Sequence, residues 1–361
     1  MDHAVNRSLF DDLRLASAHW TARLLLFLVM SMPIGALAQD LTASGPFNVQ
    51  VLTFAKLTDP PRGGREVPIK VHVPLGDGPF PIVIVSHGAG GNWDSHAGQN
   101  QHLASYGYAV LALEHIGSNT DRLRKGGPRL MQTLMEMIVD REEVLGRPLD
   151  VSFAIGRAEE WNSSHTELRG KLDVKRIGVL GQSFGAYTAM VVGGMRPALK
   201  WLKPVRAEGD ALGPDLRDQR VICGVALSPQ GVAEPFFIEE SFRSLSMPLM
   251  GISGTLDGQQ GDHPAIGRLR AFALWPEDEG KHRFVWLNNA RHLDFTSASE
   301  QRRLVAPTPT RADVQPLARV ATLLFFEWHL KRDAGAGRML TATGLTRYLR
   351  GAVDAVDVLS K

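Results

Sequence analysis

Short apolar runs alternate with longer helix-compatible stretches through most of this chain. "PIVIVSHG", "YAVLALEH", "RIGVLGQ", "VICGVALSP", "PLMGISG" and "FVWLNN" are nearly continuous in Val, Ile, Leu and Ala. A strand with one wet face alternates polar and apolar residues. A continuous run marks a strand covered on both faces, as in a parallel sheet between helices. Two earlier runs, "FNVQVLTFA" and "VPIKVHVPL", flank the turn residues of "DPPRGGRE" and read as edge strands. Helical pieces fall between them: "NQHLASYG", "RLMQTLMEMIVDREEVL", "AYTAMVVGGM" and the closing "VQPLARVATLLFFEWHL". There is no internal repeat and no low-complexity tract. The βαβα order predicts one α/β domain with a doubly wound, mostly parallel, eight-stranded sheet flanked by helices.

The start of the chain follows a different pattern. Arg23 precedes the apolar run Leu24–Ala38, which ends in Ala36-Leu37-Ala38. The run falls short of the roughly 20 residues that span a bilayer. A charge, a short apolar run and a small-x-small ending are the build of a secretory signal. Residues 1–38 are therefore expected to be a signal cut after Ala38. Residues 39–361 form the single domain, which is secreted or periplasmic and has no stable membrane span. One departure is the long segment before Arg23, with acids at Asp2, Asp11 and Asp12.

Composition narrows the function. The chain of 361 residues is 44% hydrophobic and 22% charged, enough apolar matter for a large core. Its formal net charge is +2, with no dense basic stripe and no interleaved aromatics, so nucleic acid is not an expected partner. The one cysteine, Cys223, lies in "RVICGVALSP" and reads as a buried core residue.

In doubly wound sheets, chemistry sits beyond the carboxyl ends of the strands. Four such ends carry polar or glycine-rich loops: "SHGAGG", "GQSFG", "GTLDG" and "ARHLDF". Gly181-Gln182-Ser183-Phe184-Gly185 fits the G-x-S-x-G elbow, in which a serine occupies a tight turn between a strand and a helix. A serine hydroxyl attacks well only when a base takes its proton. His292, after the last of these strands, is the candidate base. His263, His282, His87 and His115 compete with it, and His87 reads as structural. The base needs a carboxylate to fix its tautomer. Asp257 directly follows its strand and is preferred, with Asp262 the runner-up. Asp294 is too close in sequence to His292.

The negative oxygen that develops during acyl transfer needs hydrogen-bond donors. The N–H of Phe184 is one candidate. The other comes from the small residues after "PIVIV", with Ala89 preferred and Gly88 next. The segment Pro229–Leu245 follows the sixth strand, where a small lid over 229–246 is expected. Phe236 and Phe237 within it, and Trp93 beside the oxyanion loop, are candidate walls of a substrate pocket. For Phe236 and Phe237, packing a cap helix onto the core is an equal alternative, and Trp93 reads equally as a surface aromatic.

Together these residues resemble the α/β-hydrolase family. "SHGAGG", "YGYAVLALEHIGSN", "RPLDVSFAI" and "GQSFGAYTA" are similar to the branch holding platelet-activating-factor acetylhydrolases and dienelactone-hydrolase-like bacterial proteins. The resemblance implies serine esterase chemistry on a small-molecule or lipid ester, with small or short-acyl groups, and no cofactor and no metal. Dienelactone hydrolases proper use a cysteine nucleophile, where this chain has Ser183. A peptidase or amidase on the same residues, and a non-catalytic binding protein, are the rival readings.

Overall fold

The computed structural model describes residues 40–198, 212–233, 235–258, 264–297 and 310–361. The expected signal and its cleavage position lie outside these residues. Thr42–Lys361 form one compact unit.

Each continuous apolar run became a strand. The main sheet holds β1 (Val49–Phe54), β2 (Ile69–Pro74), β3 (Phe80–Ser86), β4 (Ala109–Leu113), β5 (Leu172–Gln182), β6 (Val221–Leu227), β7 (Leu249–Leu256), β8 (Arg283–Arg291) and β9 (Val356–Ser360). Their order across the sheet is β1-β2-β4-β3-β5-β6-β7-β8-β9. The strands from β4 through β8 are parallel, and β1, β2 and β9 add antiparallel pairings at the two sides.

Two expectations change here. The sheet has nine strands rather than eight. The ninth is a five-residue edge strand, mostly exposed, whose Asp357 interrupts its apolar run, so it lacks the signature of a buried strand. Only β1, of the first two strands, is an edge. β2 lies between β1 and β4, with Ile69, Val71 and Val73 fully buried.

The chain leaves β3 to one side for β4 and returns to the other side for β5. This reversal opens a crevice between the ends of β3 and β5, the usual ligand position in such sheets. The glycine-rich loop hangs from the first end and Ser183 from the second.

The run "RLMQTLMEMIVDREEVL" is two helices rather than one, α1 (Leu130–Ile138) and α2 (Arg141–Ser164). Asp140 breaks it, because its carboxylate accepts the Glu142 N–H at 2.9 Å and caps the second helix. Pro148 lies inside α2 and has no N–H to give to the carbonyl four residues back. The Tyr187 hydroxyl donates to that carbonyl, on Val144, at 3.0 Å. The bond ties α2 to α3 (Phe184–Val192), the helix that follows the serine. Later helices include α4 (Ile266–Phe272) and α5 (Arg311–Leu330). No helix among the described residues is long and apolar enough to cross a membrane.

Candidate active site

β5 ends at Gln182, and α3 begins at Phe184, so Ser183 alone makes the turn. Its backbone has φ 55° and ψ −118°, a conformation that L residues with side chains rarely hold. The neighbouring glycines make this turn fit. A Cβ on Gly181 would run into the backbone of Gly185, and one on Gly185 into the carbonyl oxygen of Ser86 at the end of β3. The Ser183 N–H donates to the Leu227 carbonyl at 3.0 Å, and the Gln230 side chain donates to the Ser183 carbonyl at 2.7 Å. The turn is thus held from β6 on one side and packed against β3 on the other.

The loop after β7 and the turn after β8 bring two further side chains to Ser183. His292 Nε2 lies 2.9 Å from Ser183 Oγ, and His292 Nδ1 lies 2.8 Å from Asp257 Oδ1. Asp257 is fully buried. Burial alone would push its carboxyl up, but the charges of His292 and Arg268 and the hydrogen bonds it accepts hold it below the ordinary value. Ionised Asp257 accepts the His292 Nδ1 proton, which leaves the Nε2 lone pair facing the serine hydroxyl.

Arg268 was not signalled by the sequence. It is buried on α4, donates to the Asp257 carbonyl at 2.9 Å and reaches the Ser228 carbonyl at 3.1 Å. Its guanidinium also lies 3.3 Å from Asp257 Oδ1. Ser253 Oγ donates to the other carboxylate oxygen of Asp257 at 2.7 Å, and Gln182 donates to the His292 carbonyl at 3.2 Å. An arginine inside "IGRLRAF" looks like any helix-surface cation. Only its fold position places it here.

The other described candidates have partners elsewhere. Asp294 caps the turn after His292, accepting the Arg291 N–H at 3.0 Å and the Thr310 hydroxyl at 2.7 Å. His282 accepts the Leu249 N–H at 3.1 Å beside β7. His87 and His115 are buried together, with ring centroids 5.1 Å apart. Burial holds both well below the ordinary histidine value, so they are neutral. Asp262 and His263 lie outside the described residues.

The candidate donors flank the serine. Phe184 is the first residue of α3, so its N–H has no partner four residues back. A Cβ built on Gly88 would lie 3.5 Å from Ser183 Cβ, which puts the glycine-rich loop in contact with the turn. Ala89 follows it and is partly exposed.

The aromatic candidates behave differently. Phe237 is fully buried, with its ring 5.5 Å from those of both Tyr187 and Phe242. It belongs to the core rather than to a pocket wall, because it closes an aromatic stack beneath α3. Phe236 is nearly buried, 5.0 Å from Tyr187 and 5.7 Å from Phe184. Trp93 donates its backbone N–H to Glu114 at 3.1 Å and carries Lys70 Nζ 4.8 Å from its ring centroid. Cys223 is buried in β6, and burial raises its thiol well above the ordinary value.

No protein-family model matches the chain. Over 202 residues it is 25% identical to the platelet-activating factor acetylhydrolase of Cavia porcellus, covering 46% of this chain and 39% of that enzyme. The chain thus spans about two-fifths of the length of the curated relative it matches. By sheet order and by this partial match, the chain has the α/β-hydrolase fold and is a distant relative of platelet-activating factor acetylhydrolase.

Proposed function

We propose that the protein is a serine carboxylic-ester hydrolase acting on small or short-acyl esters. One observation carries the reading. Ser183, His292 and Asp257 form a continuous hydrogen-bonded chain, with distances of 2.9 Å and 2.8 Å, beyond the ends of β5, β8 and β7, parallel strands of one sheet. The match to an acetylhydrolase supports ester hydrolysis independently.

In this mechanism His292 Nε2 takes the Ser183 proton as Oγ attacks the ester carbonyl. Asp257 holds the imidazole in the required tautomer and stabilises its charged form. The N–H groups of Phe184 and Ala89, with Gly88 as the neighbouring alternative, receive the developing negative oxygen. His292 returns the proton to the leaving alcohol, and the acyl group stays on Ser183. Water then repeats the sequence and frees the acid. The same reading takes residues 1–38 as a secretory signal cut after Ala38, for delivery to the periplasm or the medium. N-terminal sequencing of the mature protein tests that part.

The catalytic test is a p-nitrophenyl ester series from acetate to palmitate, on wild type and Ser183→Ala. Turnover highest on short chains and lost in the variant supports the proposal. Equal inertness of both proteins across the series overturns it.

A further inference from the structure

Beneath the oxyanion loop lies a group of buried charges that the reaction does not use. It comprises Arg147, Glu143 and Asp150 on α2, with Arg62 and Arg65 reaching in from the loop before β2. Asp150 accepts from Arg65 Nε at 2.7 Å, from Arg62 at 2.7 Å and from His115 Nδ1 at 2.8 Å. His115 Nε2 in turn faces Ser86 Oγ at 2.9 Å. Ser86, His115, Asp150 and Arg147 are all fully buried. An apolar filling of the same space is often as stable as buried ion pairs or more so. Fold stability alone therefore does not call for this group.

Its hydrogen bonds converge on the segment that carries the candidate donors. The Arg147 guanidinium donates to the His87 carbonyl and, at 3.2 Å, to Ser86 Oγ. The His115 backbone N–H donates to His87 Nε2 at 3.0 Å, which fixes the His87 proton on Nδ1. That Nδ1 faces the Gly88 carbonyl at 2.7 Å, and the Gly91 N–H donates to the same oxygen at 3.1 Å. In a trans peptide the N–H points opposite to the carbonyl. Anchoring the His87 carbonyl therefore aims the Gly88 N–H, and anchoring the Gly88 carbonyl aims the Ala89 N–H. The same guanidinium lies 4.3 Å from the ring centroid of Phe184, whose backbone N–H is the other candidate donor.

We infer that Arg147 is a positioning residue for the oxyanion hole, gripping Ser86, the His87 carbonyl and the Phe184 ring at once so that the two donors converge. The inference rests on the esterase reading above. Arg147 touches no substrate atom, and its effect passes entirely through the donors it holds.

The test compares wild type with Arg147→Lys, Arg147→Met and Ser86→Ala. Turnover of p-nitrophenyl acetate is measured per active site, counted by burst titration. Inhibition by a trifluoromethyl ketone, whose serine adduct carries the oxyanion, and thermal melting are measured alongside. Losing one donor outright lowers kcat by about 10²–10³-fold. Misaligned donors lose part of that, so Arg147→Met is expected to lower kcat about 10–100-fold and leave KM within about twofold. Ketone affinity falls in step with kcat, and Arg147→Lys recovers part of the loss. Ser86→Ala changes little volume and keeps the test open if Arg147→Met does not fold. It is expected to show the same pattern at about 3–10-fold. A structural role alone lowers melting temperature and the count of active sites but leaves rate per site and ketone affinity unchanged. That result overturns the inference while the esterase reading stands. A folded wild type that neither turns over esters nor reacts with a fluorophosphonate at Ser183 overturns both.

Discussion

Ser253 Oγ donates to Asp257 Oδ2 at 2.7 Å while His292 Nδ1 holds Asp257 Oδ1 at 2.8 Å, so each carboxylate oxygen has its own partner. An amide at position 257 presents an N–H₂ on one side and cannot accept on both. Asp257→Asn is expected to lower kcat on p-nitrophenyl acetate by about 10⁴-fold, because His292 is then held in the wrong tautomer. Ser253→Ala leaves His292 in place and removes one hydrogen bond to the ionised carboxylate, so its expected loss is about 10–100-fold. Equal losses in the two variants would sink this division of labour.

The same carboxylate sets a pH dependence of stability. Asp257 is held below its ordinary value in the fold, despite the opposing effect of burial. As pH falls, the unfolded chain binds this proton first, near the ordinary value of about 3.9. The stability that Asp257 contributes is therefore complete above that pH and is lost as pH drops through the lower folded value. The gap in melting temperature between wild type and Asp257→Asn is expected to stay constant from about pH 7 to 5 and to change only below about pH 4. A gap that changes across the neutral range refutes the assignment.

Buried histidines act at higher pH. Burial lowers His72 and His96 to about 4. In the unfolded chain each titrates near about 6.5. Between those values the unfolded state takes up protons that the fold refuses, so stability declines as pH falls from about 6.5 to about 4. His72 is the clearest case, since both its ring nitrogens are buried on β2 and meet no hydrogen-bond partner among the described residues. His72→Leu is expected to raise the urea midpoint at pH 5 and to flatten the slope between pH 7 and 5. An unchanged slope would mean that His72 does not titrate on unfolding in this window.

Glycine substitutions separate strained positions from open ones. Gly185→Ala would drive a methyl group into the Ser86 carbonyl, where β3 meets the serine turn. It is expected to abolish esterase activity even in protein that still folds. Gly156 lies in α2 with open space where a Cβ would go. Gly156→Ala is expected to stabilise the protein by about 1 kcal/mol, read as a higher urea midpoint with unchanged kcat. Activity in Gly185→Ala close to wild type would contradict the packing of the turn.

The sequence made the centre of this fold legible and its periphery less so. Continuous apolar runs marked the six strands β3 to β8 because burial on both faces leaves no polar positions, and the turn residues between β1 and β2 marked those two. The order of Ser183, Asp257 and His292 was readable because each follows a strand directly, and strand ends share one edge of the sheet. β9 was missed because five mostly exposed residues around Asp357 resemble a loop. The Arg147–Asp150–His115 group was illegible for a different reason. Arg147 meets Ser86 from 61 positions away, and Arg65 meets Asp150 from 85. Nothing local distinguishes these arginines from surface cations.

Phe237 marks the same limit on the apolar side, because an aromatic in "EPFFIEESF" suits a lid and a core equally. Its ring is fully buried and lies 5.5 Å from both Tyr187 and Phe242. Truncating a buried aromatic removes its transfer energy and leaves a cavity, so Phe237→Ala is expected to cost about 3–5 kcal/mol. Because the ring supports α3 from beneath, the acyl-chain preference of the molecules that remain folded is expected to match wild type. Phe236 packs directly on Phe184, whose backbone N–H is a candidate donor, so Phe236→Ala is the informative comparison. It is expected to lower kcat more than Phe237→Ala does at equal folded fraction. The measurement pairs urea denaturation with the p-nitrophenyl ester series on each variant. If Phe237→Ala shifted the chain-length optimum without losing stability, its ring would border the acyl group, and the segment over 229–246 would be a substrate wall rather than part of the core.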